Sequence, residues 1–203
     1  MKPLHHPAEA VLADYVSGAL RPAFAVVAAA HIESCDHCRQ TVRLLEAMGG
    51  ALICDLPQAA LAEDALDRVM AGIERPAAAP PAAVKPAAER IPFGREFWLA
   101  PGMSIRKARI DDSGDLLYLL RLPSGLRTIP HGHGGVEFTA VLKGAYSDGE
   151  GVFAAGDFAE MTEDINHQPS VLDDGECVCL IASERPMKVH TVVGRLVHML
   201  TGV

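Results

Sequence analysis

Two groups of residues in this sequence have the types and spacing to hold metal ions. The first is "HIESCDHC", residues 31–38, where His31, Cys35 and Cys38 form a His-x3-Cys-x2-Cys pattern. Thiolate and imidazole are ligands that zinc prefers, and a structural zinc site closes with four protein ligands in a tetrahedron. Three are present here, so a fourth must come from elsewhere. His5 and His6, ahead of the first helical segment, are both candidates, and spacing does not choose between them. His37 lies between the cysteines and is expected to point away from their ion. Cys54, after a glycine pair, reads as a small apolar core residue. The plainer alternative, two ordinary buried thiols beside a surface histidine, leaves the pattern at a helix junction unexplained.

The second group lies in "SGLRTIPHGHGGVEFTAVLKGAY", residues 124–146. Gly125, His131, His133, Glu137 and Gly144 stand in the order G-x5-H-x-H-x3-E-x6-G. The three polar residues share parity, so an unbroken strand aims them at one face. Glycines 134 and 135 leave room for a bulge. Two imidazoles and a carboxylate make an incomplete site, and His167 in "EDINHQP" is the histidine placed to complete it. Imidazole suits zinc, iron, copper and nickel, and carboxylate also suits manganese. The ligand set therefore fits Zn2+ or another divalent transition metal. His190 and His198 read as solvent or packing residues. Cys177 and Cys179 flank Val178 and face the same way on a strand, either as a redox pair near this metal or as small core residues.

The first group needs helices to position it. Val11, Leu12, Tyr15, Val16 and Ala19 form an apolar stripe after Pro7. Pro22 suits the start of a second helix, which carries Phe24, Val27, Ala28 and His31 along one face. A third helix is expected from near Cys35, with Val42, Leu45 and Met48 inward and a stop at Gly49–Gly50. A fourth follows Pro57, with Leu66, Val69 and Ile73 on one face. Together these imply a small four-helix core that a metal would staple. The second group needs strands. "DLLYLLRL", "VEFTAVLKGAY", "GVFAAGDFAEM" and "ECVCLIAS" are apolar or alternating runs separated by turn compositions, as in a sandwich or barrel. Between the halves, "RPAAAPPAAVKPAAER" has no apolar periodicity and reads as a semi-rigid extended spacer. The expected fold class is therefore α + β in two domains: residues 1–75 a helical bundle, 76–90 a linker, and 91–203 an antiparallel β-barrel.

The totals narrow the function. The chain has 203 residues, a formal net charge of −8 and 49% apolar residues. Direct nucleic-acid binding needs a basic face, so it is not expected. An acidic protein suits a basic partner, such as a DNA-binding protein. Glu9, Asp14, Asp64 and Asp67 could steer one, or could form a solvated face. No apolar run reaches the length of a membrane span, and the amino terminus lacks the apolar core of a signal peptide. A cytoplasmic protein is expected, with its five cysteines acting as ligands or free thiols.

Residues 125–144 resemble the first motif of the cupin superfamily, whose domains are small antiparallel barrels of jelly-roll type with a metal in the mouth. The second cupin motif is partly present, with Gly156 in place and His167 farther along than usual. The whole chain, from the histidine pair through "HIESCDHC" and the Ala-Pro linker to the cupin, resembles the ChrR family of zinc-containing anti-sigma factors. The resemblance implies a helical half that sequesters an extracytoplasmic-function sigma factor one to one. It implies a cupin half that controls release in response to singlet oxygen or organic peroxide. It also implies zinc ligands at His6, His31, Cys35 and Cys38, and barrel ligands at His131, His133, Glu137 and His167. The competing expectation is a metal-dependent cupin enzyme, a dioxygenase or isomerase, with a helical oligomerisation module.

Overall fold

A computed structural model describes residues 2–73, 85–149, 151–172 and 175–189. Four α-helices come first: α1 (Glu9–Ser17), α2 (Pro22–Ser34), α3 (Asp36–Cys54) and α4 (Ala65–Ile73). The strands follow as β1 (Phe97–Ala100), β2 (Met103–Ala108), β3 (Leu116–Leu122), β4 (His131–Gly132), β5 (Glu137–Lys143) and β6 (Ala145–Ser147). The remainder are β7 (Val152–Ala154), β8 (Phe158–Met161), β9 (Asn166–His167), β10 (Ser170–Val171), β11 (Cys177–Ser183) and β12 (Lys188–Val189). His190 and His198 fall outside the described residues.

Local chemistry sets the helix ends. Gly18 adopts φ 73°, a left-handed cap that only glycine takes without strain, and closes α1. Pro22 occupies the first turn of α2, where its missing N–H removes no hydrogen bond. Cys35 is extended, ends α2 and caps α3, its Sγ accepting from the Cys38 N–H. Gly49 and Gly50 do not stop α3, which continues to Cys54. Glycine inside a helix costs only about 1 kcal/mol relative to alanine, and neither residue takes the positive φ that would turn the chain. Two consequences differ from expectation: Met48 is exposed rather than inward, and Cys54 is an exposed thiol on the last turn rather than a core residue.

The strands form one six-stranded antiparallel sheet, in the order β1-β2-β3-β11-β5-β8, and two three-stranded sheets, β10-β6-β7 and β12-β4-β9. This is antiparallel sheet of the cupin type. Ile105, Tyr118, Val141, Tyr146, Phe153 and Ile181 fill its interior. The outer face of the large sheet is also covered. Phe24 and Val27 of α2, with Val11 of α1, pack on Leu117, Phe138, Ala140, Phe158, Leu180 and Ala182. The Phe24 and Phe138 rings meet edge to face, 4.9 Å between centroids. Arg21, just ahead of α2, reaches Asp115 at 2.7 Å and Glu184 at 2.5 Å. The helical half is thus built onto the sheet.

A third cluster, Leu12, Ala28, Ile32, Cys35, Cys38 and Val42, joins the first three helices. The expected fourth member of this core is absent, because α4 has no buried residue. The expected spacer also behaves differently where it is described. Ala87–Arg90 form a short 3-10 helix, Ala87 is buried, its N–H donates to Glu33 Oε2, and Arg90 pairs with Glu33.

Candidate metal centres

In the first centre, His31 ends a buried stripe of α2, Cys35 sits at the α2–α3 junction, Cys38 lies in the first turn of α3, and His6 precedes α1. Their donor atoms all lie within 4.8 Å of one another. His6 Nδ1 is 3.4 Å from Cys35 Sγ and 3.5 Å from Cys38 Sγ, and His31 Nε2 is 3.3 Å from Cys38 Sγ. A tetrahedral zinc ion with bonds of ~2.0–2.3 Å sets its ligand atoms ~3.3–3.8 Å apart, so the geometry fits such an ion. The hydrogen bond behind His31 fits too. The Gly156 carbonyl lies 2.7 Å from His31 Nδ1, so that nitrogen carries the hydrogen and Nε2 presents its lone pair to the cluster.

Burial disfavours charge in this pocket when no cation is present. It lowers the His31 pKa to about 4, against a smaller upward pull from the Gly156 carbonyl. It pushes the Cys38 thiol up to about 12, with Cys35 adding to the effect. A bound divalent cation reverses that balance, because a coordinating thiol is deprotonated outright. His5 is not in the group. Its ring lies over Phe153, 4.3 Å between centroids. His37 is also outside it, its ring 5.0 Å from that of His6.

The second centre gathers His131, His133 and His167. His131 and His167 face each other across the β4–β9 pair, and His133 follows β4. His167 Nε2 lies 3.1 Å from His131 Nε2 and 3.2 Å from His133 Nε2. These separations suit three imidazoles converging on one ion. The Ile129 carbonyl, 2.9 Å from His131 Nδ1, sets the tautomer that leaves Nε2 free. Asp148 Oδ2 stands 3.5 Å from His167 Nδ1. Glu137, at the start of β5, lies beside the trio rather than within it. Its Oε2 is 3.6 Å from His133 Nδ1 and accepts from the Tyr118 hydroxyl at 3.4 Å. Burial lowers the His167 pKa to about 4, and the two neighbouring histidines add to the shift.

Residues 96–186 match the ChrR cupin-like domain family. The chain is 35% identical over 205 residues to the anti-sigma-E factor ChrR of Cereibacter sphaeroides, covering 95% of each chain. This chain belongs to the ChrR family of anti-sigma factors. The fold agrees: the crystal structure of Rhodobacter sphaeroides SigE in complex with the anti-sigma ChrR matches with a TM-score of 0.78 and 34% identity, covering 90% of this chain and 100% of that one. The family's role is regulatory, which sets aside the enzyme reading.

In this ChrR-family chain Cys177 and Cys179 lie on β11 and are buried, with Sγ atoms 3.7 Å apart. The contact with Cys177 and burial together hold the Cys179 thiol well above its usual pKa, so it is neutral. A sensor thiol is usually accessible and thiolate-like. Tyr118, Asp148 and Asp157 touch the centres or their supports without a signal in the sequence. Each sits in an ordinary strand or turn composition, and only the three-dimensional pairing reveals it. No single helix among the described residues is long and apolar enough to cross a membrane.

Proposed function

We propose that this chain sequesters an extracytoplasmic-function sigma factor, one molecule to one, in the cytoplasm. The helical half makes the contact, braced by Zn2+ on His6, His31, Cys35 and Cys38. The cupin half holds Zn2+ or another divalent transition metal on His131, His133 and His167, with Glu137, which stands beside the trio, as the fourth ligand. An oxidative signal, singlet oxygen or organic peroxide, acts on that half and triggers release.

The observation that carries the reading is an unpartnered apolar surface on the helical half. Leu66, Val69, Met70 and Ile73 recur at i, i+3, i+4, i+7 on α4, and all are exposed. Leu44, Met48 and Leu52 on α3 are exposed as well. Such a surface marks an interaction site, and the ChrR relative was crystallised with a sigma factor. The test is co-purification of the tagged chain from its host, followed by exposure of the product to singlet oxygen. An equimolar complex with a sigma factor that dissociates on exposure is expected. Recovery of the chain without a sigma factor would remove the sequestration reading. A complex indifferent to singlet oxygen and organic peroxide would remove the sensing one.

A further inference from the structure

The first metal centre is supported from an unexpected direction: the turn between β7 and β8 in the cupin half. Two of its four donors lean on that turn. His31 Nδ1 donates to the Gly156 carbonyl at 2.7 Å. The strap that carries His6 is pinned by Asp157, which is 2% exposed. Asp157 Oδ1 accepts from the Leu4 N–H at 2.6 Å and the His5 N–H at 3.0 Å, while Oδ2 accepts from Ala154 N–H at 2.8 Å within its own turn. The Phe158 N–H donates to the His5 carbonyl at 3.1 Å, and His5 Nε2 lies 3.1 Å from the Val152 carbonyl. Gly156 has φ 98°, and a Cβ there would sit 3.0 Å from Pro3 of the strap, so the turn is shaped to let the strap lie against it.

We infer that Asp157 and the Gly156 carbonyl are the outer shell of the amino-terminal metal centre, with Asp157 a positioning residue that fixes His6 through the strap. His5 is then the anchor and His6 the ligand. The affinity of the first centre is set partly by the cupin half, because β8, which begins at Phe158, pairs with β5 from Ala140 back to Glu137. This rests on the reading that His6, His31, Cys35 and Cys38 hold an ion, and adds to it what holds those ligands in place. Removing an outer-shell partner typically weakens metal binding about 10–100-fold.

The experiment uses the full chain loaded with cobalt(II). The near-ultraviolet charge-transfer band of a thiolate–cobalt bond reports the cysteine-containing centre alone, and its decay in excess chelator gives the rate of metal loss. Two variants interrupt the same link from opposite ends. Asp157→Ala removes the acceptor, and Leu4→Pro removes one donated N–H while leaving the buried turn intact. Both are expected to lose the band about 10–100-fold faster than wild type. The double variant should be no faster than about twice the faster single one, since both act through one contact. A rate within twofold of wild type for either single variant overturns the inference. Absence of the band in wild type would instead remove the reading on which it rests.

Discussion

The apolar stripe on α4 supplies a measurable prediction. Leu66, Val69 and Ile73 are 70%, 60% and 70% exposed, and α4 contributes no buried residue. Full burial of such a side chain stabilises by about 1.5–3 kcal/mol. Covering the exposed fraction with a partner is therefore worth about 1–2 kcal/mol per residue, or about 3–6 kcal/mol for the three. Ordering their rotamers offsets about 0.5 kcal/mol or more each. About 2–4 kcal/mol of affinity remains, which converts to roughly 30-fold to several-hundred-fold in Kd. The triple variant Leu66→Ala, Val69→Ala, Ile73→Ala should weaken sigma binding by that factor. The free chain should unfold at the same temperature, because no packed contact is lost and alanine is the better helix former. Titration calorimetry with the purified sigma factor measures the first effect, and thermal circular dichroism the second. A triple variant that binds within threefold of wild type would show that α4 is not the docking element.

Three further outcomes follow from the two centres. Cys35→Ala with Cys38→Ala should remove one ion per chain by elemental analysis and abolish sigma binding, since α3 loses both its cap and its tie to the strap. Single alanine variants of His131, His133, Glu137 or His167 should still inhibit sigma in resting cells but reduce induction by singlet oxygen, as read from a sigma-dependent reporter. Normal induction in all four would remove the cupin metal from the release mechanism. In the metal-free chain, His31 and His167 fold neutral with pKa values near 4, below the ordinary 6.5. Protonation then favours the unfolded state, so denaturant stability should be flat from about pH 6.5 to pH 8 and fall progressively from pH 6.5 towards pH 4. A midpoint that does not move between pH 7 and pH 5 would contradict the burial of these rings.

Metal-ligand patterns were the most legible feature, because local spacing encodes them. His31, Cys35 and Cys38 span two turns of chain and meet through one helix junction. Bringing His6 to them requires a strap held by a turn about 150 residues away, as the Leu4–Asp157 separation of 153 shows, and no local pattern encodes such a contact. That is why spacing left His5 and His6 equivalent although their environments differ. The failures have a common cause as well. Amphipathic periodicity shows that a helix has an apolar face but not whether that face is turned inward. Met48 and the α4 stripe carry the pattern of a core while facing solvent, as a surface reserved for a partner would. The Ala-Pro run has no periodicity at all, yet Ala87 is buried with its N–H bonded to Glu33 of α2, and Ala88 packs against the α2–sheet cluster.

The near-continuous apolar run in β11 reflects packing by both halves on one strand. A strand with one wet face alternates, whereas "CVCLIAS" barely does, because both faces of β11 are covered. Cys177, Cys179 and Ile181 point into the cupin interior, while Leu180 and Ala182 meet α2. Strand β5 has the same division. Glu137 stands beside the histidine trio, and the next residue, Phe138, packs on Phe24 of α2. Successive side chains on a strand project to opposite faces. A movement of Glu137 that twists or shifts the start of β5 must therefore displace Phe138, which packs on Phe24 of the helix that carries His31. Close-packed interiors transmit such shifts rather than absorb them. The histidine trio and the helical half thus meet adjacent residues of one strand, Glu137 on one face of β5 and Phe138 on the other.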